Sequence, residues 1–573
     1  MPTNLAPVVT TGAAGSIGAG HAHEGGEQTT GVLIATLASS LTACGGSGGG
    51  SNSAAAAATA APPVAAISDF EAARFLAQAA MGANRTQIAR VQELGYAAWL
   101  DEQIAMAQST SRWDWLLAKG YDAAANRNGE AGFDACAWRK LIASPDTLRQ
   151  RLTLALSEIL VVGIDGTSGG WRAFAAAGYL DLLEAQAFGN YRSLLDQVTA
   201  NPAMGEWLSF RGNLKANAST GSLPDENYAR ELLQLFTIGL VQLNNDGTPR
   251  LVNGAPQATY GQDDIMGLAR VFTGWDWDLA GGSTATPDFQ RRPMALVASR
   301  HESGAKSFLG STVAAGTDGT ASRRQALDTI FAHPNVGPFI ARQLIQRLVT
   351  SNPSAPYVGR IATVFNNDGS GVRGNLAAVV KALLLDDEAR NPANVASTTF
   401  GKLREPILRF TAWARAWNAA SASDAWAVGS TADPTSRLGQ SPLRSPSVFN
   451  FFRPGYVPPN SAVANAGLVS PEMQITDESS VVGYVNFMQR TVSLGVGDVR
   501  ADYATLLPLA DNAKALLDEI NLLLAAGQLS AATLANFTQA LATLPSGNDT
   551  ARNNRIYAAL TLVLAAPEFI VLK

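Results

Sequence analysis

The sequence predicts an all-α fold: one large multi-helix globular domain with long irregular loops and at most a few short strands. Three observations carry this. From Asp69 onward apolar residues recur at helical spacing almost everywhere, whereas strictly alternating patterns are sparse. No stretch reaches the roughly eighteen uninterrupted apolar residues of a membrane-spanning helix. No repeat of fixed period interrupts the series.

Taken in order, Phe70, Phe75, Leu76 and Ala79 share one helical face, as do Ile88, Val91, Leu94, Ala98 and Leu100. Leu148, Leu152, Leu156, Ile159 and Leu160 form a further stripe flanked by Arg149 and Arg151. Residues 222–239 read as a single helix. Ser222 and Asp225 supply a capping box, Pro224 occupies the first turn, and Gly239 gives a left-handed stop. Tyr228, Leu232, Leu235 and Phe236 form its buried face. Further helices are expected at 324–331, 336–350, 357–365, 376–385 and 403–418, with three more between 503 and 572. Long loops are expected at 278–293, 311–320 and 421–467. The last carries Phe449, Phe451, Phe452 and Tyr456, which are expected to pack over the core.

Composition narrows the function classes. The 573 residues are 47% hydrophobic and 16% charged, which excludes wholesale disorder and a polytopic membrane protein. The net charge is −5 and no Lys/Arg cluster breaks it, so nucleic acid is not an expected partner. Two Cys and four His are too few for a Cys/His zinc site, and no cofactor or metal is expected.

The chain divides into a signal and lipobox segment (1–44), a Gly/Ser/Ala linker (45–66) and the helical domain (67–573), within which 500–573 can form a C-terminal helical subdomain. Gly31 to Cys44 is a fourteen-residue, largely apolar stretch ending in Leu41-Thr42-Ala43-Cys44, too short to span a bilayer. It has the length of a signal-peptide core, and its end resembles a bacterial lipobox, which makes Cys44 the expected lipidation site. The first thirty residues lack Lys and Arg and contain Glu24 and Glu27, unlike a signal n-region, so the functional start is expected downstream of Met1. By the same resemblance the protein is exported to the cell envelope and held to a membrane through the lipid alone. Gly45 after the cysteine, in place of Asp, favours the outer membrane where there is one. The expected partner is an envelope protein or an extracellular polymer.

Several motifs are rejected on context. Residues 8–18 resemble a dehydrogenase glycine turn but lack the following amphipathic helix and acid. Gly304-Ala305-Lys306-Ser307 has only the tail of a phosphate loop, and Asn366-Asn367-Asp368-Gly369 lacks the glutamate that closes a calcium loop. Gly166-Thr167-Ser168-Gly169-Gly170, followed by Asp264 and His301, has the chain order of a hydrolase triad, but no alternation of strands and helices surrounds it.

The central helix carries Glu226 with Arg230 and Asn227 with Glu231, each pair four residues apart on the polar face. Residues 224–239 resemble the PNENYARELLELFTLG hallmark of the bacterial domain-of-unknown-function family 1800. Ala269 to Trp275 is similar to its ARALTGW segment, His301 to Gly310 to HDxGxKxFLG, and Phe339 to Leu344 to FVARKL. Lys402 to Pro406 resembles VKSPVE, Leu438-Gly439-Gln440 with Pro446-Ser447-Val448 resembles LGQ…PPNV, and Ala565 to Phe569 resembles the closing SPEF. Many members carry an FWHNHF helix where this chain has Leu154-Ala155-Leu156-Ser157-Glu158-Ile159-Leu160, so any role of those histidines is absent here. The resemblance implies an exported helical protein with no agreed activity.

The candidate functional cluster is Glu226, Asn227, Arg230, Glu231, Trp275, His301 and Lys306, with catalytic roles unassigned. A binding or assembly role is preferred because no nucleophile is evident. The alternative is an extracytoplasmic enzyme of hydrolase type using acid/base chemistry on the 226–231 helix and at His301. The lipid anchor has a direct test. Intact mass of the membrane-extracted protein should show a chain starting at Cys44 with diacylglyceryl and acyl mass added, and Cys44→Ala should abolish it. An unmodified chain in the soluble fraction would overturn this expectation.

Overall fold

The computed structural model describes residues 66–573; Cys44 and all but the last residue of the linker lie outside the described residues. Many helices start where a short polar side chain takes up an orphan amide. Ser68 closes a full capping box with Glu71, and Asn84, Ser111, Asn190, Ser354, Asn375 and Ser530 cap in the same way. Twenty-two helices result among the described residues, joined by irregular connections and five two-stranded antiparallel ladders. No helix among them is long and apolar enough to cross a membrane.

Two helices sit at the centre, buried along their entire length: Thr147–Ile159 and Pro406–Ala416. Their apolar faces pack as expected. Trp138 and Phe410 meet edge to face at 5.0 Å, and Leu148, Leu152, Leu156 and Ile159 are buried. Their polar residues are buried too, and follow one pattern. Arg415 donates to the carbonyls of Leu141 (2.7 Å) and Ser144 (3.0 Å), at the end of the Phe133–Ala143 helix. Arg404 donates to Leu524 at 3.0 Å, near the end of Ala513–Ala525. Lys402 donates to Arg347 at 2.8 Å, near the end of Val336–Leu348, and Arg151 reaches the same carbonyl. Buried cations thus take up the carbonyls that helix C-termini leave unpaired, where the helix dipole also favours positive charge.

Two local readings are corrected. The helix expected over 222–239 begins only at Asn227 and runs to Gln234. Ser222 is instead bridged to Asn217, and the amide of Asp225 is held at 2.9 Å by Asn213, so the chain enters the helix extended. Asp225 then caps the amide of Asn227 at 2.8 Å, and Gly239 does stop the segment in the left-handed region (φ +67°). The expected helix at 403–418 spans Pro406–Ala416, because Lys402–Leu403 pairs with Val571–Leu572 near the end of the chain. That ladder, and the packing of Ala513–Ala525 on Asp69–Ala79, tie 500–573 to the rest of the domain.

The closest approach of backbone to helix lies at Gly267, in Gln262–Val271. A Cβ there would stand 1.7 Å from the carbonyl oxygen of Ser307 on the neighbouring hairpin. Gly267→Ala should therefore cost about 2–3 kcal/mol in urea denaturation, whereas Gly455→Ala, with no atom within 4 Å, should cost nothing measurable. Equal midpoints for the two variants would refute this packing.

Candidate functional site

The seven residues singled out in the sequence fall into two groups. Glu226 precedes the Asn227–Gln234 helix, pairs with Arg230 at 3.1 Å and accepts from Gln262 at 2.7 Å. Asn227 donates to Ser209 at 3.4 Å. Glu231 turns inward: burial raises its pKa against the nearby Arg230, and one of its carboxyl oxygens has no partner. The hydroxyl of Tyr260 is close enough for the Glu231 charge to be felt, and burial pushes it up to about 12.

The second group lies past the other end of the Gln262–Val271 helix. His301 Nδ1 lies 3.0 Å from the carbonyl oxygen of Thr273, which assigns the proton to Nδ1 and leaves Nε2 buried and unpartnered. Burial lowers the pKa of His301, so the ring is neutral near pH 7. Lys306 is fully buried with only Ser322 at 3.4 Å, and burial lowers its pKa as well. Trp275 is buried under the Arg323 guanidinium, 4.4 Å from its ring. Gln262 touches the first group and Thr273 the second, so the helix separates them by roughly 15 Å, at about 1.5 Å per residue. The Ser168 loop contacts Glu206 rather than His301, and Asp264 is taken up by the amides of Gly261 and Leu309. Among the described residues no group of three His, Cys, Asp or Glu side chains is placed to hold a metal ion.

Three of the motif segments, 224–239, 339–344 and 446–448, converge elsewhere, on a cleft of about 350 Å³. One wall is a single face of Val336–Leu348, presenting Phe339, Arg342, Gln343, Gln346 and Arg347 at helical spacing. Gln234, Leu235 and Gly239 of the central motif form a second wall. Gly239 lets the Phe339 ring approach to where a Cβ would stand 2.7 Å from it. Val448, Phe449, Pro454 and Gly455 of the aromatic loop form the third, while Phe452 is buried beneath, with Arg347 5.2 Å from its ring. Glu158 reaches the cleft from the end of Thr147–Ile159. Arg342 is exposed on the wall. It has no carboxylate partner among the described residues.

Glu158 is also the outermost member of a buried charge cluster. Arg347 Nε lies 2.9 Å from Glu158, Lys402 Nζ 2.9 Å from Glu472 and 3.8 Å from Glu405, and Gln440 donates to Glu405 at 2.8 Å. Glu158 and Glu405 are within hydrogen-bonding reach of each other. Burial, then the Glu405 charge, push the Glu158 carboxyl well above the usual range, with Arg347 and Lys402 opposing. Burial works on Glu405 too, but the bond from Glu158 and the charges of Lys402 and Arg151 outweigh it and hold Glu405 low. The opposite shifts describe one proton held by the pair as a unit. Two carboxyls in contact leave no room for a substrate between them, unlike the separated pair of a glycosidase.

Sequence reasoning missed Glu158, Arg342, Arg347, Lys402, Glu405 and Glu472. The available signal was a lone acid inside the apolar stripe 154–160.

A carboxyl raised by folding holds its proton more tightly in the native state. Its stabilising contribution is complete below the unfolded value of 4.5 and is lost as pH rises through the folded one. Glu158→Gln removes that loss. The stability of the variant relative to wild type should be flat in acid and climb above pH 4.5, by at most about 1.4 kcal/mol per pH unit, in urea denaturation from pH 4 to 9. Parallel profiles would show that Glu158 is not protonated in the fold.

No curated protein and no solved structure matches the chain. A family model described as "Protein of unknown function (DUF1800)" matches residues 74–571, nearly the whole described domain. The chain is therefore a member of the domain-of-unknown-function family 1800.

Proposed function

We propose that this protein is an exported binding protein of the bacterial cell envelope, tethered through a lipid on Cys44, whose cleft holds an amphipathic ligand with an apolar body and one anionic group. The observation that carries the reading is the unpaired Arg342 on the wall of an otherwise largely apolar cleft, whose volume of about 350 Å³ suits a small ligand. Leu235, Leu240, Val241, Leu243 and Phe339 offer apolar surface, and the Glu158 carboxyl reaches the base. The lipobox-like residues 41–44 and the Gly/Ser/Ala linker support the envelope address, and a partner there is an envelope protein or an extracellular polymer. Nucleic acid is not among the proposed partners.

An enzymatic reading has one observation in its favour, the neutral buried His301 with its free Nε2 beside the deprotonation-prone Lys306. Turnover lost in His301→Asn and retained in Arg342→Ala would replace the binding reading.

The binding reading is tested with dodecanoate by isothermal titration. Arg342→Ala should weaken it at least tenfold, about 1.4 kcal/mol, while dodecanol should bind wild type and variant alike. Equal dodecanoate affinities for both proteins, or no binding to either, would overturn it.

A further inference from the structure

A second concavity, about 610 Å³, lies between the helix Glu478–Leu494, the loop around Arg437 and the turn leading into Val499–Arg500. It is lined by three arginines from three segments, Arg437, Arg490 and Arg500, and none of them is in an ion pair among the described residues. Arg490 and Arg500 are exposed and Arg437 is half-buried. The carboxylates nearest in sequence are already committed. Asp433 accepts from Thr435 (2.8 Å) and Ser436 (2.6 Å), and Asp498 accepts from Ser421, Ser423 (2.6 Å) and the amide of Ala427 (2.8 Å).

Two of the three arginines are also positioned. Arg500 donates to the carbonyls of Gly497 (2.9 Å) and Val499 (3.0 Å), folded over a turn in which Gly495 and Gly497 have φ of +72° and +56°. A Cβ on Gly495 would stand 2.3 Å from the Arg500 guanidinium. Arg437 donates to Val428 at 3.1 Å. Thr435, Ser436 and Asn486 add hydroxyl and amide groups to the same lining.

From these observations we infer that the groove binds an acidic polysaccharide, its arginines pairing with carboxylates repeated along the chain and its hydroxyl and amide groups meeting the sugar hydroxyls. Guanidinium forks suit planar carboxylates. Cations supplied by separate segments around an open groove suit charges spaced along a polymer better than a single small ion. The inference deepens the extracellular-polymer reading of the partner and is independent of the cleft.

The test uses the full chain and an alginate hexasaccharide, with cellohexaose as the neutral control, in 50 mM and 300 mM salt. Alginate should bind and cellohexaose should not. Arg490→Ala should weaken alginate at least fivefold, Arg490→Glu more, and the higher salt should weaken binding to wild type. Arg342→Ala should leave alginate unchanged, and Arg490→Ala should leave dodecanoate unchanged, which separates failure here from failure of the cleft. Absence of alginate binding, equal affinity in Arg490→Glu, or tighter binding of a single-stranded oligonucleotide through the same arginines would overturn the inference.

Discussion

Six ionisable side chains with almost no access to water, Arg151, Arg347, Lys402, Glu158, Glu405 and Glu472, meet where four separate stretches of chain cross. Removing charges from water costs several kcal/mol per ion, so such a cluster persists only when each member is paired and hydrogen-bonded. Here the cations have a second task. Arg151 and Lys402 both hold the carbonyl of Arg347, near the end of a helix that can find no water. The helix end is thus satisfied by cations of the cluster, which in turn stand within ion-pair distance of its acids. The shape of the cleft follows from this arrangement, because the same crossing fixes the face of Val336–Leu348 that forms its wall.

The single proton on the Glu158–Glu405 pair is a consequence of the same constraint. Three acids and three bases would balance if all were ionised, yet two of the acids touch. Contact between like charges in a dry site is relieved by keeping one of them neutral. Glu158, the one pushed upward, is the acid of the cluster that reaches the cleft. The cleft thus has a carboxyl and its partner Arg347 at its base and the unpaired Arg342 on its wall, while Arg151, Lys402, Glu405 and Glu472 stay below the surface.

Much of this fold was legible in the sequence because it rests on local rules. Apolar residues at helical spacing placed helices such as Leu376–Leu385 correctly, and Gly239 ended its segment as its freedom at positive φ predicts. The misread start at Ser222 has a physical origin: Asn213 and Asn217, distant from the helix itself, compete for the groups that a capping box would have used. The strand at Lys402–Leu403 was invisible for a related reason, since its partner Val571–Leu572 lies at the far end of the chain. The site was less legible than the fold. Glu226, Arg230 and Glu231 stand out in the sequence by clustering, but clustering within one helix marks a surface pair and one half-buried acid. Glu158, the Lys402–Glu405 pair and Glu472 lie far apart in sequence, and only long-range packing brings them together.

The account's central claim is that the cleft beside this cluster, rather than the His301 region, is where a ligand acts. Hydrogen–deuterium exchange of the full chain with and without saturating dodecanoate tests it most directly. Protection should rise together in residues 153–160, 234–243, 336–348 and 446–456 and stay unchanged in 298–308. Protection confined to 298–308, or spread evenly over the domain, would contradict the claim.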